Sequence, residues 1–209
     1  MIKPSAQYSH IIPINTIRTS EAVITVLAGL ERLIASSDLT QVVFFNRAYL
    51  IVTKRISQAK TDGLFDNPKQ MVKLEVAFAI KYFEALNNYV KHGSLPGAWG
   101  NIKQSTWYPR HPASLSLLLG ANAHINYDLP LALKKTIEKP EEFRNDYFKV
   151  NRLLKESSKE ISKSYYESDR SINFLKKNLR TLYLKPIMWL ILRWRTRAWQ
   201  KLANPAEHL

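Results

Sequence analysis

The chain has 209 residues, 45% of them hydrophobic, no Cys and a formal net charge of +14. That length and apolar content suit one domain with a real core and exclude a disordered chain. The absence of Cys excludes disulfides, thiolate metal sites and cysteine nucleophiles.

The first 18 residues read as an N-terminal arm, interrupted by Pro4 and Pro13 and without an apolar core of signal-peptide length, so a cytoplasmic location is expected. Glu21 to Ala35 carries apolar residues on a helical period, with Thr19 or Ser20 as its cap. Asp38 is placed to cap a second helix, LTQVVFFNRAYLIVTKRISQAK, in which Phe44, Ala48, Ile51 and Arg55 keep a three-to-four spacing. DGLFDNP reads as a turn, with Asp66 as N-cap and Pro68 just inside a third helix that stops at Gly93. SLPGAWGNIKQSTWYPRHP reads as a loop. Pro112 opens ASLSLLLGANAHINYDLPLALKKTIE, which Pro130 should kink or end. Pro140 starts a further helix, and a last one runs from near Ser171 to Ala203 with a bend at Pro186.

No strand pair or hairpin turn is evident. The expected fold is all-α, a single-domain bundle of about six or seven helices spanning 1–209. No uncharged window is long enough to span a bilayer.

The stretch Gly120 to Leu133, GANAHINYDLPLAL, sets Asn122, His124, Asn126 and Asp128 into an otherwise apolar run. On a helix His124 and Asp128 share one face, a turn apart, and Asn122 and Asn126 share another. Polar groups in such a run are costly unless hydrogen-bonded. Three readings are open. The belt is internal hydrogen bonding; it is a metal site with ligands His124 and Asp128; or it is a metal-free acid/base pair in which Asp128 holds the His124 tautomer. A metal site needs further ligands. Glu75, which interrupts an apolar stripe, is the best candidate, and Asp146, His111, Asp66 and His10 are weaker. Glu75 has an alternative as the partner of Arg47 or Arg55. The divalent metal would be zinc or iron.

FNRAYLIVTKRI, LFDNP, KLEVAFAIKYFEAL, GANAHINYDLPLAL and DYFKVNRLL occur in the order seen in a bacterial family catalogued as a domain of unknown function, which the chain resembles from about Asp38 to Asn151 and more weakly through RTRAWQKLA. The resemblance implies no activity. It implies that His124 and Asp128 belong to a shared motif, and that Glu75 stands where relatives carry Asp. The His-x-x-x-Asp element in an all-α chain is also faintly similar to the zinc phospholipase C and single-strand nuclease group. With only 5 His, including His208 near the end, a trinuclear cluster is not expected.

Residues 186–209 form a basic amphipathic helix and tail. From Lys149 onward 14 Lys and Arg face 5 Asp and Glu, so nine of the net positive charges lie there. Ile187, Leu190, Trp194 and Ala198 form a stripe suited to docking on the bundle. Residues 186–203 also suit peripheral contact with a membrane surface, whereas no nucleic-acid motif is present. No Gly-rich phosphate loop, nucleophile elbow or dinucleotide fingerprint occurs, which disfavours nucleotide cofactors.

The expected function is an enzyme acting on a small apolar or lipid-like substrate. His124 and Asp128 would be catalytic, Asn122 and Asn126 would position the substrate, and Trp99, Trp107 and Tyr108 would wall the pocket. With a metal bound, hydrolysis is the first expectation. Without one, isomerisation, cyclisation or elimination is. The rival is a non-enzymatic membrane-associated or partner-binding helical protein.

Overall fold

A computed structural model describes residues 6–104, 113–168 and 180–204. Those residues form an all-α bundle with no strand among them; an isolated bridge joins Ala6 and Ser37. The helices are α1 (Ser20–Ala35), α2 (Val42–Thr61), α3 (Pro68–His92), the short α4 (Gly100–Gln104), α5 (Ala113–Ala123), α6 (Leu129–Thr136), α7 (Pro140–Ser168) and α8 (Arg180–Ala203). Trp107, Tyr108, His111 and His208, and the expected start of the last helix near Ser171, lie outside the described residues.

Helix α1 follows from its spacing. Val23, Leu27, Leu30 and Ile34 recur every three to four residues and are all buried. Burying each is worth about 1.5–3 kcal/mol. Thr19 caps the helix, accepting a hydrogen bond from the Ala22 N–H at 3.2 Å. Helix α2 lies at the centre and packs against α1, α5 and α7. Inside that packing Asn46 donates to the Leu27 carbonyl at 2.9 Å, so a polar residue in the core is satisfied.

Two caps differ from the sequence expectation. Gln41, not Asp38, precedes α2. Asp38 instead ties down the N-terminal arm, accepting from the Tyr8 N–H at 2.9 Å and from the Tyr89 hydroxyl. Asn67, not Asp66, caps α3, accepting from the Gln70 N–H at 3.0 Å. An adjacent buried carboxylate explains the shift. Asp146 of α7 accepts the N–H groups of Asp66 and Asn67 at 2.9 and 2.7 Å and fixes the turn. Gly93 then closes α3 with φ +69°, a left-handed conformation that glycine adopts freely.

The arm packs into the core. Ile12 is buried, and the Asn87 side chain both accepts from its N–H and donates to its carbonyl. The expected loop after Gly93 is partly helical, with a 3₁₀ turn at Gly97–Trp99 leading into α4. Trp99 and Ile102 supply the reason, because both are buried.

Between α5 and α6 the chain makes one π-helical turn, His124–Asp128, in which the Leu129 N–H reaches back to the His124 carbonyl. Pro130 neither ends the helix nor leaves it regular. Its ring crowds the carbonyl four residues back, that of Asn126, and the wide turn falls there. Helix α8 docks on α7, α6, α5 and the π turn. Its buried face is Ile187, Ile191, Arg195, Ala198 and Trp199, whereas Leu190 and Trp194 are half-buried. Tyr147 fixes the contact. Its hydroxyl donates to the Arg195 carbonyl at 2.7 Å, and its ring centroid lies 4.6 Å from that of Trp199. No helix among the described residues is long and apolar enough to cross a membrane.

Candidate functional site

The π turn carries His124 into the core, where it is 2% exposed. Its ring stacks on Phe78 with centroids 3.5 Å apart and planes 10° from parallel. Tyr49 and Phe45 present edges at 4.7 and 5.4 Å. His124 Nδ1 lies 3.0 Å from Asp128 Oδ2, and that same oxygen accepts the Trp99 indole N–H at 3.1 Å. Both neighbours of the carboxylate oxygen therefore act as donors. That assigns the imidazole proton to Nδ1 and leaves Nε2 with a lone pair. Burial pushes the His124 pKa below its ordinary 6.5, and the hydrogen bond and charge of Asp128 offset this only in part. At pH 7 the ring is neutral.

His124 lines an apolar cavity of about 120 Å³ between α2, α3, α5, the π turn, α6, α7 and α8. Phe78, Leu117, Ile125, Val150, Leu154 and Ile191 form much of its wall. The volume is on the scale of the ~150 Å³ cavity that holds a benzene-sized guest. Three buried polar atoms on its lining residues have no hydrogen-bond partner: His124 Nε2, Glu75 Oε1 and, among the tyrosines there, the Tyr49 hydroxyl. Such atoms are rare in native cores and require explanation. Burial first, and then the charges of Glu75 and Asp128, push the Tyr49 pKa well above its ordinary 10.0, so the phenol keeps its proton.

Glu75 is held from the other side. Its Oε2 accepts from Lys60 Nζ at 2.8 Å and from the Ser20 hydroxyl at 2.7 Å. Both side chains of the ion pair are nearly enclosed, at 10% and 6% exposure. The expected arginine partners are engaged elsewhere, Arg47 with Glu31 and Arg55 with Glu156 and Glu160.

A model of one protein family matches residues 23–208. The chain belongs to the family of unknown function DUF5995. The DUF5995 match takes in Tyr49, Glu75, His124, Asp128 and Arg195 and attaches no chemistry to any of them. No curated protein and no solved structure matches the chain.

The sequence-predicted residues fall into three places. His124 and Glu75 line the cavity, and Asp128 stands directly behind His124. Asn122 and Asn126 are half-buried and pair with each other, Asn126 Nδ2 donating to Asn122 Oδ1 at 2.8 Å. Neither lines the cavity, because each lies two residues, about half a turn, from His124 and so on a different face. Trp99 is buried but is not part of the cavity wall; it holds Asp128 instead. Among the weaker metal candidates, Asp146 fixes the turn before α3, Asp66 pairs with Lys149 at the surface, and His10 is exposed on the arm.

No three His, Asp or Glu side chains converge on a common point among the described residues. Asp128 faces the His124 nitrogen opposite the cavity side, and Glu75 is shared with Lys60 and Ser20. Sequence reasoning missed Tyr49, Phe78 and Arg195. Tyr49 and Phe78 sit on the apolar stripes of α2 and α3, where an aromatic residue looks like ordinary core. Arg195 lay among exposed arginines of the same helix.

Proposed function

We propose that the protein is an enzyme of proton transfer acting on a small apolar substrate held in the cavity beside His124. The observation that carries this reading is that three residues lining one apolar cavity, His124, Tyr49 and Glu75, each bury a polar atom without a hydrogen-bond partner: Nε2, the hydroxyl and Oε1. They supply a neutral base, a protonated acid and a carboxylate beside an apolar space. In the proposed step Nε2 takes a proton from carbon next to a carbonyl. The Tyr49 O–H donates a hydrogen bond to the oxygen on which charge develops. Asp128 holds the Nδ1 proton and stabilises the imidazolium that forms. Return of the proton to another carbon gives an isomerisation; departure of a β-substituent gives an elimination.

The test is deuterium uptake from D₂O by a panel of small enolisable ketones, esters and keto acids, followed by NMR. Exchange accelerated by the wild type, lost in His124→Gln and reduced in Tyr49→Phe supports the proposal. Exchange unchanged in His124→Gln contradicts it. Metal content of untagged protein is measured alongside. Near-stoichiometric metal that disappears in His124→Ala would replace the acid/base reading with metal-dependent hydrolysis.

A second reading concerns the surface of α8. Lys185, Trp189, Arg193, Arg197 and Lys201 are all exposed and follow one another at four-residue spacing, with the Arg193 guanidinium 5.1 Å from the Trp189 ring centroid. A basic stripe with an exposed Trp suits peripheral contact with an anionic membrane. Sedimentation with phosphatidylserine vesicles that falls in Trp189→Ala and with added salt supports it. Equal binding to neutral vesicles refutes it.

A further inference from the structure

The cavity has a second polar feature, away from the His124 pair in sequence and on different helices. Arg195 of α8 lines it and is 7% exposed. Its Nε–H donates to Asn151 Oδ1 at 2.8 Å and an Nη2–H to the Tyr147 carbonyl at 2.9 Å. Its guanidinium carbon lies 4.3 Å from the Tyr147 ring centroid. These contacts are all with neutral groups. Among the described residues no carboxylate forms an ion pair with Arg195, and Nη1 has no hydrogen-bond partner.

A buried cation without an anion is costly, and native cores pair such charges. This chain follows that rule elsewhere, where Lys60 meets Glu75. Helix α8 also has surface positions for arginine, as Arg193 and Arg197 show. Arg195 is nonetheless kept inside, clamped by Asn151 and Tyr147 in one orientation, with donors left over on a residue that lines an apolar space. A rigid planar fork of that kind matches a carboxylate. Because the side chain is already immobilised, binding loses little further entropy.

We infer that Arg195 anchors the carboxylate of a small apolar acid whose hydrocarbon body fills the cavity. The inference deepens the proposed function, rests on its claim that the cavity takes a small molecule, and names the substrate class. The acid would be of about the size of hexanoate or benzoate, since the cavity is about 120 Å³. Its carboxylate would complete the missing ion pair, and its body would extend between Phe78, Ile125 and Ile191.

The experiment is isothermal titration calorimetry with hexanoate and benzoate against their neutral counterparts, hexan-1-ol and benzyl alcohol. The wild type, Arg195→Gln and the cavity-filling variant Ala121→Leu are compared. The expected result is that the acids bind the wild type at least about tenfold more tightly than the alcohols. Arg195→Gln removes that preference, Ala121→Leu weakens all four ligands, and inorganic phosphate, which lacks an apolar body, does not compete. Acids and alcohols binding alike, or a preference that survives Arg195→Gln, overturns the role of Arg195 and leaves the small-molecule cavity standing. Failure of all four to bind, or binding indifferent to Ala121→Leu, overturns both. The acid-versus-alcohol comparison needs only the wild type, so the inference stays refutable if Arg195→Gln does not fold.

Discussion

Replacing Gly120 with Ala is predicted to destabilise the protein, although Ala is the better helix former. Gly120 lies inside α5 with its backbone against Phe45. A Cβ built there would come within 2.5 Å of Phe45 Cγ and 2.6 Å of Phe45 Cβ. Ordinary carbon contacts sit at about 3.5–4.0 Å, so the overlap is roughly 1 Å. The clashing atoms are the root of the Phe45 side chain, which cannot swing away as a flexible tip would. The ring is also hemmed in by Tyr82 and Trp99, each at 5.2 Å between centroids. Helix propensity favours Ala by about 1 kcal/mol. Overpacking a core costs about 1–3 kcal/mol and sometimes more. An overlap of this size at a rigid side-chain root lies at the upper end of that cost, so a net loss of about 2 kcal/mol is expected. Urea denaturation of wild type, Gly120→Ala, Phe45→Ala and the double variant measures it. In the double variant the clash has gone, so a favourable coupling of about 1–3 kcal/mol is predicted. Gly120→Ala as stable as the wild type, or a coupling near zero, would refute the reasoning. Phe45 also edges onto His124, so Gly120→Ala should disturb the site as well.

Lys60→Met leaves Glu75 buried and without its cation, and a loss of about 3–5 kcal/mol in chemical denaturation is expected; adding Glu75→Gln should recover much of it. Asp128→Asn removes the charge, and weakens the charge-assisted hydrogen bond, that hold the His124 pKa up, so NMR titration should show that pKa falling further below 6.5. The same group makes stability depend on pH. The unfolded imidazole binds a proton near 6.5 and the folded one only at lower pH, so the contribution of His124 is complete above 6.5 and is lost as pH falls through the folded value. Wild-type denaturation midpoints should therefore drop between neutral and mildly acidic pH, and His124→Gln should drop less.

The helical architecture was legible because its signals are local. The apolar period of α1, the Pro68 start and Gly93 stop of α3, and Pro140 at the head of α7 each act within a turn or two of chain. The displaced caps were not legible, because Asp146 reaches the turn before α3 from far along the sequence. The polar run around His124 was legible as a place where local rules break, and the chain makes its π turn there. Its closure by Trp99, its aromatic surround and its neighbour Tyr49 depend on how α2, α3 and the π turn converge, which spacing alone does not encode. Glu75 was visible as an acid in an apolar stripe, but its partner Lys60 is set by the packing of α2 on α3.

The most direct test of the central claim is the ¹⁵N NMR spectrum of the His124 ring across pH, with and without a small apolar guest such as benzyl alcohol. The account predicts a neutral ring at pH 7 with its proton on Nδ1, a pKa below 6.5, and an Nε2 resonance that moves when the guest binds. A proton on Nε2, an imidazolium at pH 7, or an Nε2 resonance unmoved at saturating guest would contradict it.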